Sequence, residues 1–366
     1  MKIVVSKNEL QEKLSNIQNI VEKRNTMPIL SHFLLDAVKG GSSISATDLE
    51  TALREPISIS VEKEGKICIP ARKMFEIVRE VDGDLVCESV DEQWLKIKAG
   101  ASSFRRACLS AKEFPAWPGM DQMEEIILPA KTLAELIEKT VYSAGESDTR
   151  YTLNGLLFHV TPPRRLSAVG TDGHRLATIA RTIEGTLSEE KKMIVPKKAA
   201  AELGKVLDKT EGNIKMTLSR NHVLFTVNEI QFLTRLVEGT YPNYEQVIPA
   251  SNDKRVVINK EVFSRALRRV SLMAKDKTNA VKMDLDDNKI TLTSANPDMG
   301  EATDEIAVEY RGEKLTLGLN ARYFLDIIDS ISSENIILDM QGALHPVLIR
   351  DEQDPDYRCV IMPMRI

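Results

Sequence analysis

Ser167, Asp172 and His174 stand close together in the stretch Leu166-Ser-Ala-Val-Gly-Thr-Asp-Gly-His-Arg-Leu-Ala177. A serine, a carboxylate and an imidazole are the parts of a nucleophilic hydrolase, in which the ring takes the hydroxyl proton and the carboxylate orients the ring. The surroundings argue against that chemistry: no serine sits in a G-x-S-x-G elbow, and no P-loop is present. Asp-Gly-His is instead a tight-turn sequence whose aspartate caps backbone N–H groups just beyond it. Two other stretches, Ile44-Ser-Ala-Thr-Asp48 and Leu292-Thr-Ser-Ala-Asn296, have the same form, a strand running into a polar turn. Asp48, Asp172 and Asn296 are spaced 124 residues apart in both intervals. Solenoid repeats are roughly 20–50 residues long, so this period is domain-sized and predicts one fold used three times.

The elements that position these turns repeat with them. Residues 2–5 are β-rich, and Leu10, Leu14, Ile17 and Val21 follow at helical spacing over residues 8–21. Short β-like runs at 29–37 and 43–46 precede Pro56-Ile-Ser-Ile-Ser-Val61, whose alternation predicts a half-buried strand with Ile57, Ile59 and Val61 inward. A second unit opens at Ile67-Cys-Ile-Pro70, with Met74, Phe75, Ile77 and Val78 on one helical face, and continues in strands at 85–87, 94–97 and 104–109. Further helices are predicted around Leu133, Leu136 and Ile137, from Ala199 to Leu207, around Phe263, Leu267 and Val270, and around Tyr323, Phe324 and Ile327. The second helix of each third starts at Pro70, Pro196 and Asn320, intervals of 126 and 124 residues. Six strand-helix-strands units result, an α+β fold of three domains at 1–123, 124–250 and 251–366.

Composition sets limits on function. With 49 Lys and Arg against 54 Asp and Glu, the net charge of −5 predicts no bulk attraction to polyanions, although a local basic surface can lie inside an acidic total. No run approaches the roughly 18 apolar residues of a membrane span, and the N-terminus does not read as a signal peptide. A cytoplasmic protein without membrane contact is expected. Cys68, Cys87, Cys108 and Cys359 form no C-x-x-C pair, so buried, reduced thiols are expected and neither a metal nor a cofactor. Basic residues recur on the predicted helices and at their ends, among them Lys13, Arg24, Arg72, Lys73, Arg79, Lys131, Lys197, Lys198 and Arg265. If helices in register share one side of a curved array, such residues make a lining that holds phosphates without reading bases. Head-to-tail joining of exposed sheet edges would close the array, most simply as a ring of two chains.

The motifs Asn25-Thr-Met-Pro-Ile-Leu30, Ala46-Thr-Asp-Leu-Glu50, Ile69-Pro-Ala-Arg-Lys73, Arg150-Tyr-Thr-Leu-Asn-Gly155, Gly170-Thr-Asp-Gly-His-Arg-Leu176, Tyr241-Pro-Asn-Tyr244 and Val360-Ile-Met-Pro-Met-Arg365 together resemble, over the whole chain, the bacterial DNA polymerase III β subunits, the sliding clamps. The resemblance implies a non-enzymatic processivity factor, a head-to-tail homodimeric ring of six similar domains around duplex DNA. Each chain would form half of the ring. It implies contact with DNA through Arg24, Arg72, Lys73, Arg79, Lys197 and Lys198. It also implies a groove for peptides of DNA polymerases, a clamp loader and other replication or repair proteins. The groove positions match Leu153, Thr171, Gly173, His174, Arg175, Leu176, Pro242, Val247, Asn320, Tyr323, Val360, Met362, Pro363, Met364 and Arg365. The implied dimer interface sets Phe104 and Arg106 against Leu272 and Met273. Gln246, Thr278 and Pro346 depart from the family at the groove rim. Arg106 departs from an apolar position, so it is expected at the interface rim or on a carboxylate across it. A monomeric peptide-binding adaptor is the other reading the residues allow, and size in solution separates the two.

Overall fold

A computed structural model describes residues 1–21, 27–120, 124–184, 189–208, 210–274, 278–298 and 300–365. Among them are six α-helices: α1 (Lys7–Ile17), α2 (Ala71–Glu80), α3 (Ala130–Val141), α4 (Lys197–Leu207), α5 (Lys260–Ser271) and α6 (Ala321–Ser330). Their starts follow from the sequence. Ser6, Asn259 and Asn320 turn a side-chain oxygen to the N–H groups of Glu9, Glu261 with Val262, and Tyr323, which would otherwise lack partners at a helix N-terminus. Pro70 and Pro196 stand directly before α2 and α4, where a fixed φ and a missing N–H cost nothing. Spacing at i, i+4 and i+7 buries Leu10, Leu14 and Ile17 of α1, and Phe263, Ala266, Leu267 and Val270 are buried on α5.

Contacts divide the chain into two units, Met1–Ala134 with Ala201–Leu236, and Glu135–Ala200 with Val237–Ile366. Each unit holds one eight-stranded sheet and one smaller sheet, all antiparallel. In the first unit the large sheet runs Glu124–Pro129, Asn213–Leu218, His222–Val227, Ile230–Arg235, Thr51–Pro56, Ser43–Thr47, His32–Ala37, Gly65–Pro70. Its two halves meet where Phe232 faces Leu53 and Thr234 faces Thr51. The five-stranded sheet of this unit ends in an edge strand, Ser102–Ala107. In the second unit the large sheet runs Lys191–Pro196, Gly155–Thr161, Arg165–Thr171, Arg175–Thr182, Arg358–Ile361, Val347–Asp351, Asn335–Met340, Lys254–Asn259. Here the halves meet at Leu176 facing Val360 and Thr178 facing Arg358. A four-stranded sheet completes the unit and has Gly300–Ala307 at one edge.

The turns at Asp48 and Asp172 are the same turn in hydrogen bonds as well as in sequence, and the turn at Asn296 shares one of those bonds. Asp48 Oδ1 accepts from the N–H groups of Glu50 and Thr51, at 3.1 and 2.7 Å, and Asp172 Oδ1 accepts from His174 and Arg175, at 2.9 and 3.0 Å. Thr47 and Thr171 each donate a hydroxyl across the turn, to the carbonyls of Thr51 and Arg175. Asn296 Oδ1 accepts from Asp298 N at 3.0 Å. The position after the aspartate needs a positive φ: Gly173 has φ 84°, and Leu49 holds φ 76° in the equivalent place.

Several boundaries differ from expectation. The strand expected over Pro56–Val61 does not form as one piece. Thr51–Pro56 ends in the large sheet, the chain crosses to the five-stranded sheet, and Ser60–Lys63 pairs there with Lys2–Val5. Ile57 is buried while Ile59 and Val61 are only half-buried, because the alternation belongs to a crossover whose Ser58 N–H is held by Glu9 Oε1 at 2.8 Å. The β-like run at 29–37 begins with a 3-10 turn at Pro28–Ser31 and is a strand only over His32–Ala37; its proline favours the turn. The first helix stops at Ile17. All four cysteines are buried and free, with burial pushing the thiols of Cys68 and Cys87 up to about 12 and those of Cys108 and Cys359 to about 11.

Gly170 marks the closest approach of the strand Arg165–Thr171 to α3, since a Cβ there would lie 2.3 Å from the Thr140 carbonyl oxygen. Gly170→Ala is expected to destabilise the protein by about 1–3 kcal/mol through overpacking, read as a lower urea midpoint. Gly41→Ala, where nothing lies within 4 Å, serves as the control. Equal midpoints for the two would show that strand and helix separate without cost.

Candidate functional site

The site grows out of one face of the second unit's large sheet. Strand alternation brings Leu157, Val169, Leu176, Ile194, Leu348 and Val360 to that face, where Tyr241 and Tyr244 pack on them with Val237 and Ile248. At the end of this cluster lies a cavity of about 260 Å³ lined by Leu153, Thr171, Gly173, Leu176, Pro242, Val247, Val360 and Met362, with Arg150, Arg175 and Tyr244 at its walls. Val247 and Met362 are 39% and 38% exposed, so the apolar wall is open to a visitor. Met362 N–H donates to the His174 carbonyl at 2.9 Å, which ties the C-terminal segment to the turn. An apolar hollow with a few fixed polar groups is the ordinary form of a peptide or small-molecule site.

Arg175 is the best-connected side chain here and is nearly buried. Its Nε donates to Asp172 Oδ2 at 3.1 Å, Nη1 pairs with Asp326 of α6, and Nη2 donates to the Tyr142 carbonyl at 2.8 Å. The guanidinium carbon lies 4.4 Å from the centre of the Tyr323 ring and 5.5 Å from that of Tyr142. Arg150 lies across the other side of the turn, donating to the Asp172 carbonyl at 3.1 Å and pairing with Asp148 at 2.8 Å. That guanidinium, donating hydrogen bonds to Asp148, lowers the carboxyl to about 2. Tyr244, pushed up to about 12 by burial, shares a hydrogen bond of 2.9 Å with His159 Nδ1.

Nine of the groove residues expected from sequence thus line one cavity: Leu153, Thr171, Gly173, Arg175, Leu176, Pro242, Val247, Val360 and Met362. His174, Asn320 and Tyr323 line an adjoining polar recess of about 430 Å³. The His174 ring lies stacked 6.4 Å from that of Tyr323, and Asn320 caps α6. Pro363, Met364 and Arg365 line neither; Met364 instead bridges to Gly318. Gln246, Thr278 and Pro346 are also outside the cavity wall. Arg150 and Tyr244 are wall residues that their sequence surroundings did not single out, although each lies inside a motif quoted above. The hydrolase arrangement fails here, since both Asp172 oxygens go to the turn N–H groups and Arg175. Among the described residues no cluster of His, Cys, Asp or Glu is arranged to hold a metal ion.

Of the basic residues, Arg72, Lys73 and Arg79 are exposed on α2, the first two beside Glu76 and Arg79 over the Phe75 ring at 5.9 Å. Lys198 is exposed on α4, whereas Lys197 is half-buried and donates to the Ala144 carbonyl at 2.8 Å, inside the polar recess. Arg24 lies outside the described residues. Phe104 and Arg106 stand on the edge strand Ser102–Ala107, both half-buried, and Arg106 Nε is buried without a hydrogen-bond partner. Leu272 is 71% exposed just past α5, and Met273 is half-buried.

The whole chain, from the first domain to the last, matches one class of protein. Models of the DNA polymerase III beta subunit match the chain over residues 1–118 for the N-terminal domain, 126–243 for the central domain and 245–365 for the C-terminal domain. The chain is 32% identical to the beta sliding clamp of Pseudomonas putida over 368 residues and 33% identical to that of Caulobacter vibrioides over 372, in each case across 100% of both chains. Among solved structures it is similar to a sliding clamp from Bartonella birtlesii bound to griselimycin, with TM-score 0.95, 35% identity and 100% of both chains covered. It is also similar to the clamp of Bacillus subtilis, with TM-score 0.92, 27% identity, and 100% and 99% covered. The chain belongs to the DNA polymerase III beta subunit family, the sliding clamps, and has their α+β clamp fold.

The web around Arg175 makes a structural prediction. Arg175→Lys keeps the charge but loses the planar fork that serves Asp172, Asp326 and Tyr142 together, so amide exchange at positions 174 and 175 should quicken and stability fall by roughly 1–3 kcal/mol. Unchanged exchange over residues 172–176 would mean that the aspartate cap holds the turn alone.

Proposed function

We propose that two copies of this chain close head to tail into a ring that encircles duplex DNA, slides without reading sequence, and tethers polymerases through the groove around Leu176, Val360 and Met362. The groove carries this reading: it is open, apolar, and bordered by the fixed backbone of residues 172–174, as recognition of a short extended peptide requires. The chain acts as a DNA polymerase processivity factor and performs no catalytic step of its own. Its three domains divide near residues 123 and 250, and it works in the cytoplasm with polymerases, a clamp loader and other peptide-bearing replication or repair proteins.

The ring reading is supported by the sheet edges. An unpaired edge strand is a template for another chain, and Ser102–Ala107 of one copy would lie along Gly300–Ala307 of the next. The charges suit that pairing, since the first strand carries Arg105 and Arg106 and the second Glu301, Asp304 and Glu305. Arg106 Nε, buried and unpartnered, would gain a carboxylate across this contact. Arg72, Lys73, Arg79, Lys197, Lys198 and Arg24 would meet phosphates in the hole, Lys197 by releasing the Ala144 carbonyl.

Three outcomes are expected. The protein should remain on closed circular duplex DNA and leave when the circle is cut, because topological linkage alone makes that difference; equal retention on both forms would point to ordinary electrostatic binding. Leu272→Ala with Met273→Ala should yield monomers by light scattering at low micromolar concentration, and a persistent dimer would move the interface elsewhere. Met362→Ala should weaken an apolar polymerase peptide by about 1–3 kcal/mol, roughly five- to a hundredfold. Calorimetric titration reads this directly, and equal affinities would place the pocket elsewhere.

A further inference from the structure

The sheet face that carries the groove continues past Tyr244 into a second recess of about 400 Å³, where polar side chains join the apolar ones: its walls include Arg165, Ser167, Thr178, Tyr244, Asp356 and Arg358 beside Ile248 and Pro249. The strands run through both. Thr171, Leu176 and Val360 face the groove, while Ser167, Thr178 and Arg358 face the recess. Leu176 stands opposite Val360 and Thr178 opposite Arg358, so groove and recess are one pleat repeat apart, roughly 7 Å along the strands. A single extended peptide spans that distance in two residues.

The recess wall carries two arginines, Arg165 and Arg358, and two acids, Glu245 and Asp356, but they do not all pair. Arg165 is paired with Asp356 at 2.8 Å, both about half exposed at the rim. Arg350, which faces Arg358 on the next strand, is paired with Asp339. Among the described residues Arg358 has no carboxylate within ion-pairing distance, and its Nε is buried with no hydrogen-bond partner. Glu245, the remaining acid of the recess wall, is exposed. Thr178, opposite Arg358 on the neighbouring strand, and Ser167, one strand further, each 6% exposed, add hydroxyls to the recess wall. A guanidinium with free donors next to hydroxyls is a fit for a planar oxyanion, which it can bind through two parallel hydrogen bonds.

We infer that this recess receives an anionic oxygen group, the side-chain carboxylate of the same peptide whose apolar residue fills the groove. The inference rests on the groove reading above. Inorganic phosphate offers similar chemistry, so the test must separate the two sources. Full-length protein is titrated calorimetrically with capped nine-residue peptides that share one apolar anchor and carry either Glu or Gln at a single position, two to five residues to either side. At one position the Glu peptide should bind about three- to tenfold tighter than its Gln counterpart, the range of a partly exposed charge-assisted bond. Arg358→Gln should abolish that gain, Arg358→Lys should keep part of it, and neither should change affinity for the Gln peptide. That last result shows that the variants remain folded.

If the Gln peptides bind and respond to Met362→Ala, but no position shows an Arg358-dependent gain, the recess proposal is overturned and the groove reading stands. If no peptide binds the wild-type protein, the groove reading falls and takes the recess with it. Saturable binding of inorganic phosphate that disappears in Arg358→Gln, without any gain for a Glu peptide, would assign the recess to a free anion and overturn the peptide carboxylate.

Discussion

A nearly buried guanidinium cannot be left without partners, and Arg175 meets that constraint by drawing three elements together. Its donors go to the turn carboxylate of Asp172, to Asp326 on α6, and to the carbonyl of Tyr142 just beyond α3. Removing a charge from water costs more than a loose contact returns, and here each of the three guanidinium nitrogens makes a hydrogen bond. The consequence reaches the groove directly. The turn that Arg175 fixes accepts the Met362 N–H through His174, and the adjoining strand register sets Leu176 opposite Val360. An arginine that the family pattern suggests as a ligand contact is therefore chiefly what holds the contacts in place.

The same logic extends into the interior of the second unit. The hydroxyl of Tyr357, fully buried, meets those of Tyr142 at 2.9 Å and Ser330 at 2.6 Å and donates to the Lys139 carbonyl at 3.0 Å. Burial raises the phenols of Tyr142 and Tyr357 well above their usual range, so both stay protonated and can act as donors. Nearby, Arg181 joins Glu135 to Asp354, and Lys139 joins Asp354 at 3.4 Å. Burial alone would raise the Asp354 carboxyl, but the hydrogen bonds and charge of Arg181 and Lys139 outweigh it and hold it low. Both networks anchor the segment leading into Arg358–Ile361, the strand that brings Val360 and Arg358 to the groove face. If this surface receives a peptide as proposed, it gains from such support, because ordering it at the moment of binding would subtract from affinity.

Much of this architecture is legible in the sequence, for reasons that are local. Helix periods, caps and prolines are properties of adjacent residues, and so is the aspartate turn, which is why Asp48, Asp172 and Asn296 align from residue types and spacing alone. The strand expected over 56–61 misleads because its alternation is real but belongs to a chain changing sheets. Joining four strands of one third to four of the next, as Phe232 to Leu53 and Leu176 to Val360, depends on pairings between distant residues that no periodicity records. Arg150 and Tyr244 escape a sequence reading for a related reason, since Arg150 is placed by the turn at Asp172 and Tyr244 by the distant strands it packs on. Lys197 carries a basic residue's usual signal, yet its amine is turned to the Ala144 carbonyl, and only the fold reveals that.

The placement of charge also explains how an acidic chain can serve a polyanion. On α2, Arg72 and Lys73 share Glu76, and all three side chains are well exposed. Exposed pairs of this kind contribute little, about 0–1 kcal/mol, so a passing phosphate can exchange with the carboxylate at small cost. In the proposed ring such contacts would be numerous, weak and indifferent to base identity, which favours movement along the duplex over residence at one place. The groove is built on the opposite terms, with apolar surface presented by a rigid sheet and a turn locked by buried hydrogen bonds. In the proposed ring, strength would thus be concentrated where a partner is held and withheld where DNA slips, and the net charge of −5 is compatible with both because retention on DNA would come from the closed ring and not from attraction.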